Sequence, residues 1–235
     1  MNSSAIWSPD GGRLLFRANR QGSVVELFQQ SADGGGQIQP MLTYTHARSS
    51  GIRTIAHVPT DWSPDGQNVL LSVPSAATGF DIWLLPAAGS GNPSPLIEGD
   101  GDQMHGNFSP DGRFVAYASN ESGRFEVYVQ TFPPTERKWQ VSTTGGTEPR
   151  WRSDGEEIYY LSPEEKLIAV TVKAGPSFAV PRTLFQTQVA AQSSVFRTHY
   201  VAANRGQRFL VNTQTGEGSG TAITVLLNWT AGLKR

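Results

Sequence analysis

Two histidines and a glutamate, His105, Glu148 and His199, recur 43 and 51 residues apart in a chain of 235 residues. Imidazole nitrogens and a carboxylate brought onto one face make a set suited to a divalent cation. The other two histidines, His46 and His57, fall outside this spacing. Other chemistry is excluded quickly. There is no cysteine, so no thiolate nucleophile, thiolate metal site or disulfide framework. No Gly-rich loop precedes a V-A-I-K strand, and neither H-R-D nor D-F-G occurs, so phosphoryl-transfer machinery is missing. No serine stands in a G-x-S-x-G frame.

What positions the three residues is a repeated hairpin. "WSPDG" occupies Trp7–Gly11 and Trp62–Gly66, "FSPDG" Phe108–Gly112 and "WRSDG" Trp151–Gly155. Pro presets φ for the second turn position, Asp bonds nearby backbone, and Gly accepts the left-handed conformation that follows. An apolar strand begins two or three residues later: "LLF" at Leu14, "VLL" at Val69, "FVAY" at Phe114 and "IYY" at Ile158. Farther on comes an acid, an aliphatic and an aromatic residue in succession: Glu26-Leu27-Phe28, Asp81-Ile82-Trp83 and Glu126-Val127-Tyr128. A short strand such as "SPLI" (Ser94–Ile97) closes the unit.

The motif aromatics lie 55, 46 and 43 residues apart, and an eroded fifth copy, "VAANRG" with Gly206, follows 51 residues on at Ala202. Four strands in a period of ~40–50 residues are the signature of β-propeller blades. No segment sustains 3.6-residue periodicity, which excludes a helical solenoid. The sequence therefore predicts an all-β fold: one β-propeller domain over residues 1–235, with motifs at 7–11, 62–66, 108–112, 151–155 and 202–206. Five blades are visible, fewer than a ring of six or seven, so the chain is expected to be either a strained five-blade ring or an open fragment of a larger propeller.

The W-S-P-D-G hairpin followed by D/E-I-W/Y resembles the WD-repeat-like blades of the TolB-type β-propeller family. The run "GNFSPDGRFVAYASNESGRFEVYVQTFP", the segment "GGTEPRWRSDG" and the ending "ITVLLNWTAGLKR" are more closely similar to the C-terminal propellers of bacterial serine/threonine protein kinases. That resemblance implies a kinase domain upstream and a sensing role for this part, but the turn motif itself speaks for fold rather than function.

Each of His105, Glu148 and His199 falls three residues before the motif position of its repeat, on the expected innermost strand. The same place in the first two repeats holds Ser4 and Pro59, which breaks the ring. The three are candidate metal ligands, and the preferred reading makes them satisfied polar groups lining a wet channel. No catalytic residue, cofactor-binding residue or cofactor is assigned. Asp10, Asp65, Asp111 and Asp154 are read as stabilising their own turns.

Composition narrows the partners. Net charge is −1, and the densest basic spots, Arg137-Lys138 and Arg150/Arg152, are too small for a nucleic-acid footprint. No apolar run approaches the ~18 residues of a membrane span. "MNSSAIWSPDG" lacks the features of a signal peptide and reads as a cut into an ongoing repeat, so the compartment stays unassigned. The expectation is a non-catalytic binding or sensor module, not an enzyme, recognising a protein, peptide or small ligand. The alternative is a metal-dependent hydrolase or lactonase-like propeller with its site in the channel. An open arc of blades would expose apolar faces at both edges and pair with a second copy.

Overall fold

The computed structural model describes residues 2–19, 25–42, 57–75, 78–89, 91–173, 177–189, 198–203, 205–213 and 223–227. All regular structure among them is β-strand, in five antiparallel sheets that follow the repeats. Sheet one contains β1 (Asn2–Trp7), β2 (Arg13–Asn19), β3 (Val25–Ser31) and β4 (Gln39–Leu42) in spatial order. Sheet two repeats this with β5 (Val58–Trp62), β6 (Asn68–Ser75), β7 (Gly79–Pro86) and β8 (Ser94–Ile97). Sheet three uses β9 (Gln103–Phe108), β10 (Phe114–Ser119), β11 (Glu126–Thr131) and β12 (Lys138–Gln140).

Sheet four departs from the pattern. It has β13 (Thr147–Trp151), β14 (Glu157–Leu161) and β15 (Lys166–Lys173). The long β15 then pairs with both β16 (Ser177–Phe178) and β17 (Arg182–Gln186). Sheet five shows β18 (Tyr200–Ala203), β19 (Arg208–Asn212) and β20 (Ile223–Leu227) among the described residues. No described helix is long and apolar enough to cross a membrane.

The repeated turn is built as its residue types require. Ser8, Ser63 and Ser109 hydroxyls donate to Asp10, Asp65 and Asp111 at 2.5, 2.5 and 2.6 Å. Each carboxylate also accepts the backbone N–H two residues ahead. In the fourth turn, which lacks that serine, Arg152 Nε reaches Asp154 at 2.6 Å instead. The serine hydroxyl, with the N–H behind it, holds the Asp10 and Asp65 carboxyls below the usual range. The acids that open the third strands also act within their own sheets: Glu126 accepts from the Ser142 hydroxyl and the Gly145 N–H, and Asp81 from Thr78.

Alternation along the second strand of each sheet creates the core. In β6, Val69 and Leu71 pack with Leu15, Leu27 and Met41 of sheet one, while Leu70 packs with Phe108 and Tyr117 of sheet three. The same scheme joins Ala116 to Trp151 and Tyr160, and Tyr159 to Tyr200 and Phe209. The apolar interior is thus a set of four sheet-to-sheet interfaces, and each motif aromatic after the first inserts into the sheet before it. Trp7 has no described sheet before it and is 58% exposed, and Leu210 at the other edge is 41% exposed.

Candidate active site in the central channel

The innermost strands β1, β5, β9 and β13 lie side by side. Together with the start of sheet five they enclose one cavity of about 970 Å³. Its polar lining includes Asp61, His105, Asn107, Arg150, Thr198 and His199. Two places in the repeat supply most of these groups.

The first is the place three residues before the motif aromatic. Each inner strand of sheets one, three and four carries an irregularity there, seen as a shift in pairing with the second strand. Ser4, His105 and Glu148 take left-handed φ values of 54°, 59° and 53° at these bulges. Pro59 cannot adopt that conformation, and sheet two shifts its register one step later, between Pro59 and Asp61. His105, Glu148 and His199 are all buried.

Glu148 and His199 meet directly. The Glu148 carboxylate accepts the His199 backbone N–H at 2.8 Å and touches its Nδ1 at 2.5 Å. The Tyr200 hydroxyl donates to the Glu148 carbonyl at 2.9 Å. Burial alone would push the Glu148 carboxyl up, but the His199 hydrogen bond and the charges of His105 and His199 hold it below the usual range. Both Glu148 oxygens are therefore committed to pinning sheet five onto sheet four. No group of three His, Asp or Glu side chains among the described residues is arranged to hold a metal ion. Of the three sequence candidates His105 and His199 line the cavity, while Glu148 joins His199 in an inter-sheet clasp.

The second place, directly before the motif aromatic, was not singled out by the sequence reading. It holds Asp61, Asn107 and Arg150 in three consecutive sheets, and apolar Ile6 and Val201 at the two ends. Asp61 Oδ2 accepts Asn107 Nδ2 and the Phe108 N–H, both at 2.7 Å. Asn107 Oδ1 in turn accepts the Trp151 N–H at 2.9 Å. Arg150 Nη2 donates to Thr198 Oγ1 at 3.0 Å. Burial pushes the Asp61 carboxyl up to about 6, against the opposing pull of the Arg150 charge and the hydrogen bonds from Phe108 and Asn107. The signal was present in the sequence: a run of polar side chains at one register position whose neighbours must face either the next sheet or the channel.

No protein-family model matches the chain. It is 27% identical over 172 residues to an uncharacterized protein of Agrobacterium fabrum, covering 66% of this chain and 53% of that protein. It is 23% identical over 148 residues to the uncharacterized peptidase YuxL of Bacillus subtilis, covering 48% and 21%. The chain thus spans about half, or less, of the curated relatives it matches.

Among solved structures, TolB of Acinetobacter baumannii superposes with a TM-score of 0.70 at 14% identity, over 92% of this chain and 49% of that one. A puromycin-hydrolyzing peptidase of Mycobacterium tuberculosis gives 0.59 at 19% identity, over 90% and 35%. An oligogalacturonate lyase in complex with manganese gives 0.62 at 14%, over 89% and 61%. These likenesses show the fold, a TolB-type β-propeller.

They also correct one expectation. The chain was expected to be no enzyme, yet proteins sharing its fold include a peptidase and a lyase, and a curated relative carries a peptidase name. The expectation rested on missing contiguous motifs, and a channel assembled from one side chain per sheet leaves no contiguous motif to find. The kinase attachment implied by the sequence resemblance has no counterpart among these proteins.

Proposed function

We propose that this chain is the propeller of a hydrolase-class enzyme that holds a polar substrate in its central channel. The observation that carries the reading is the convergence of an acid, an amide and a guanidinium from one register position of three consecutive sheets on a single cavity. A carboxyl poised near 6 exchanges protons at neutral pH, as general acid–base catalysis requires. In this reading Asp61 takes a proton from an attacking water and returns it to the leaving group. Arg150 holds and orients the polar substrate against Asp61. Asn107 is a positioning residue: it ties Asp61 to the backbone of sheet four and so fixes the direction of the carboxyl.

Binding without turnover, by a module that captures a protein, peptide or small ligand, uses the same cavity. The enzyme reading is preferred because peptidases and a lyase stand among the similar proteins. The test is turnover of ester, lactone, peptide and oligogalacturonate substrates by the purified chain and its Asp61→Asn variant. Activity that scales with protein and falls at least ~100-fold in the variant supports the assignment. Activity untouched by the substitution, or none on any substrate, counts against it.

A further inference from the structure

We propose that Arg150 is the anchor for a ligand carboxylate in the central channel, with the Thr198 hydroxyl as the neighbouring donor. The inference rests on the channel being the substrate site, and it names the substrate class.

Four other arginines of the described chain each meet a carboxylate: Arg113 with Asp111, Arg124 with Glu126, Arg152 with Asp154, Glu156 and Glu157, and Arg182 with Glu157. Arg150 differs. Its guanidinium makes one hydrogen bond among the described residues, to the Thr198 hydroxyl at 3.0 Å, and forms no ion pair with a described carboxylate. Asp61 acts on it only through longer-range attraction. The Asp61 Oδ2 accepts instead from Asn107 and from the Phe108 N–H.

A guanidinium offers five N–H donors in a planar fork, so most of those of Arg150 are available to a ligand in the cavity it lines. A cation in a partly enclosed cavity gains most from an anion that fills the fork with two parallel bonds. Local charge decides which anion. Asp61, which feels the Arg150 charge, already sets one negative charge near the guanidinium. A carboxylate fills the fork and adds one further negative charge beside Asp61, whereas a phosphate dianion adds two and with them more repulsion. The chemistry is therefore that of a carboxylate, carried either by an acidic sugar or by a peptide C-terminus.

The experiment titrates the full chain at pH 7 with two matched pairs, galacturonate against galactose, and trialanine against its C-terminal amide. The expected result is that the acid of one pair binds about 10-fold more tightly than its neutral counterpart, which also tells sugar from peptide. Arg150→Gln should erase that preference, and Arg150→Lys, which keeps the charge but not the fork, should reduce it in a chain whose unfolding temperature is unchanged. Asp61→Asn should tighten the acid by removing a nearby negative charge, an effect no purely structural role produces. Failure of both acids to bind, or an acid preference that survives Arg150→Gln, overturns the proposal. Because binding is read without turnover, carboxylate capture in an inactive chain would reject the enzymatic reading alone. Turnover without acid preference would reject Arg150 alone.

Discussion

Trp7 and Trp62 hold the same place in consecutive repeats, yet Trp62 is buried among Leu15, Leu27 and Met41 of sheet one whereas Trp7 is 58% exposed. The far edge shows the complement. Leu15, Leu70, Ala116 and Tyr159, each opposite the residue before its motif aromatic, are buried under the next sheet, while Leu210 in that position is 41% exposed. One edge offers the aromatic and the other the apolar seat that three of the four internal interfaces join. The chain is therefore expected to self-associate through these edges, and light scattering should detect the larger species. Trp7→Ser combined with Leu210→Asp should return it to monomers. A monomer at high concentration for the unaltered chain contradicts the expectation.

The motif glycines separate backbone strain from crowding. Gly112 and Gly206 have φ values of 71° and 74°, so any side chain there is strained. A Cβ on Gly112 would meet only Pro64 at 3.9 Å, but one on Gly206 would lie 1.9 Å from the Tyr159 hydroxyl. Gly112→Ala should cost about 1 kcal/mol and Gly206→Ala about 3 kcal/mol, measured by denaturant unfolding. Equal losses would show that the fifth turn does not sit on Tyr159.

The clasp between sheets four and five should matter more than any surface charge. Glu148→Gln leaves His199 facing a neutral amide in a buried site and should destabilise the chain by about 3 kcal/mol. Hydrogen exchange would locate the damage: the amides of Tyr200–Ala203 and Arg208–Asn212 should lose protection first. Uniform loss across all sheets would mean that the clasp is not local.

How far the sequence reaches follows from what the repeat specifies. Turn chemistry and strand alternation are local, and so Trp7–Gly11 and its copies reveal the hairpins, the period and the propeller. The departures in sheet four could not be read this way, because the sharing of β15 by β16 and β17 carries no repeated turn motif. The channel was half legible. Histidines draw notice wherever they occur, so His105 and His199 were found with Glu148. Asp61, Asn107 and Arg150 differ in type, and what unites them is a register shared across three sheets. Their significance depends on the cavity, which is created by strands more than 40 residues apart in sequence.

The last prediction concerns pH and uses two acids with opposite shifts. Asp61 titrates near 6 in the folded chain and near 3.8 when unfolded. Below the unfolded value both states are protonated and the group is neutral in effect. Between about 4 and 6 the unfolded chain ionises first, so stability falls as pH rises, by at most about 3 kcal/mol, and then levels off. Glu148 has the opposite sign: its carboxyl is held below the usual range, so its contribution is present above 4.5 and is lost as pH falls through the folded value. Stability should thus climb out of strong acid as Glu148 ionises, pass a maximum near 4 to 5, and decline toward 6. Asp61→Asn keeps an oxygen to accept the Asn107 and Phe108 donors while removing the charge. It should abolish the decline between 4 and 6 and leave the acid limb intact. Unfolding free energies measured across this range decide the point: a decline that persists in Asp61→Asn assigns the shifted acid to another residue.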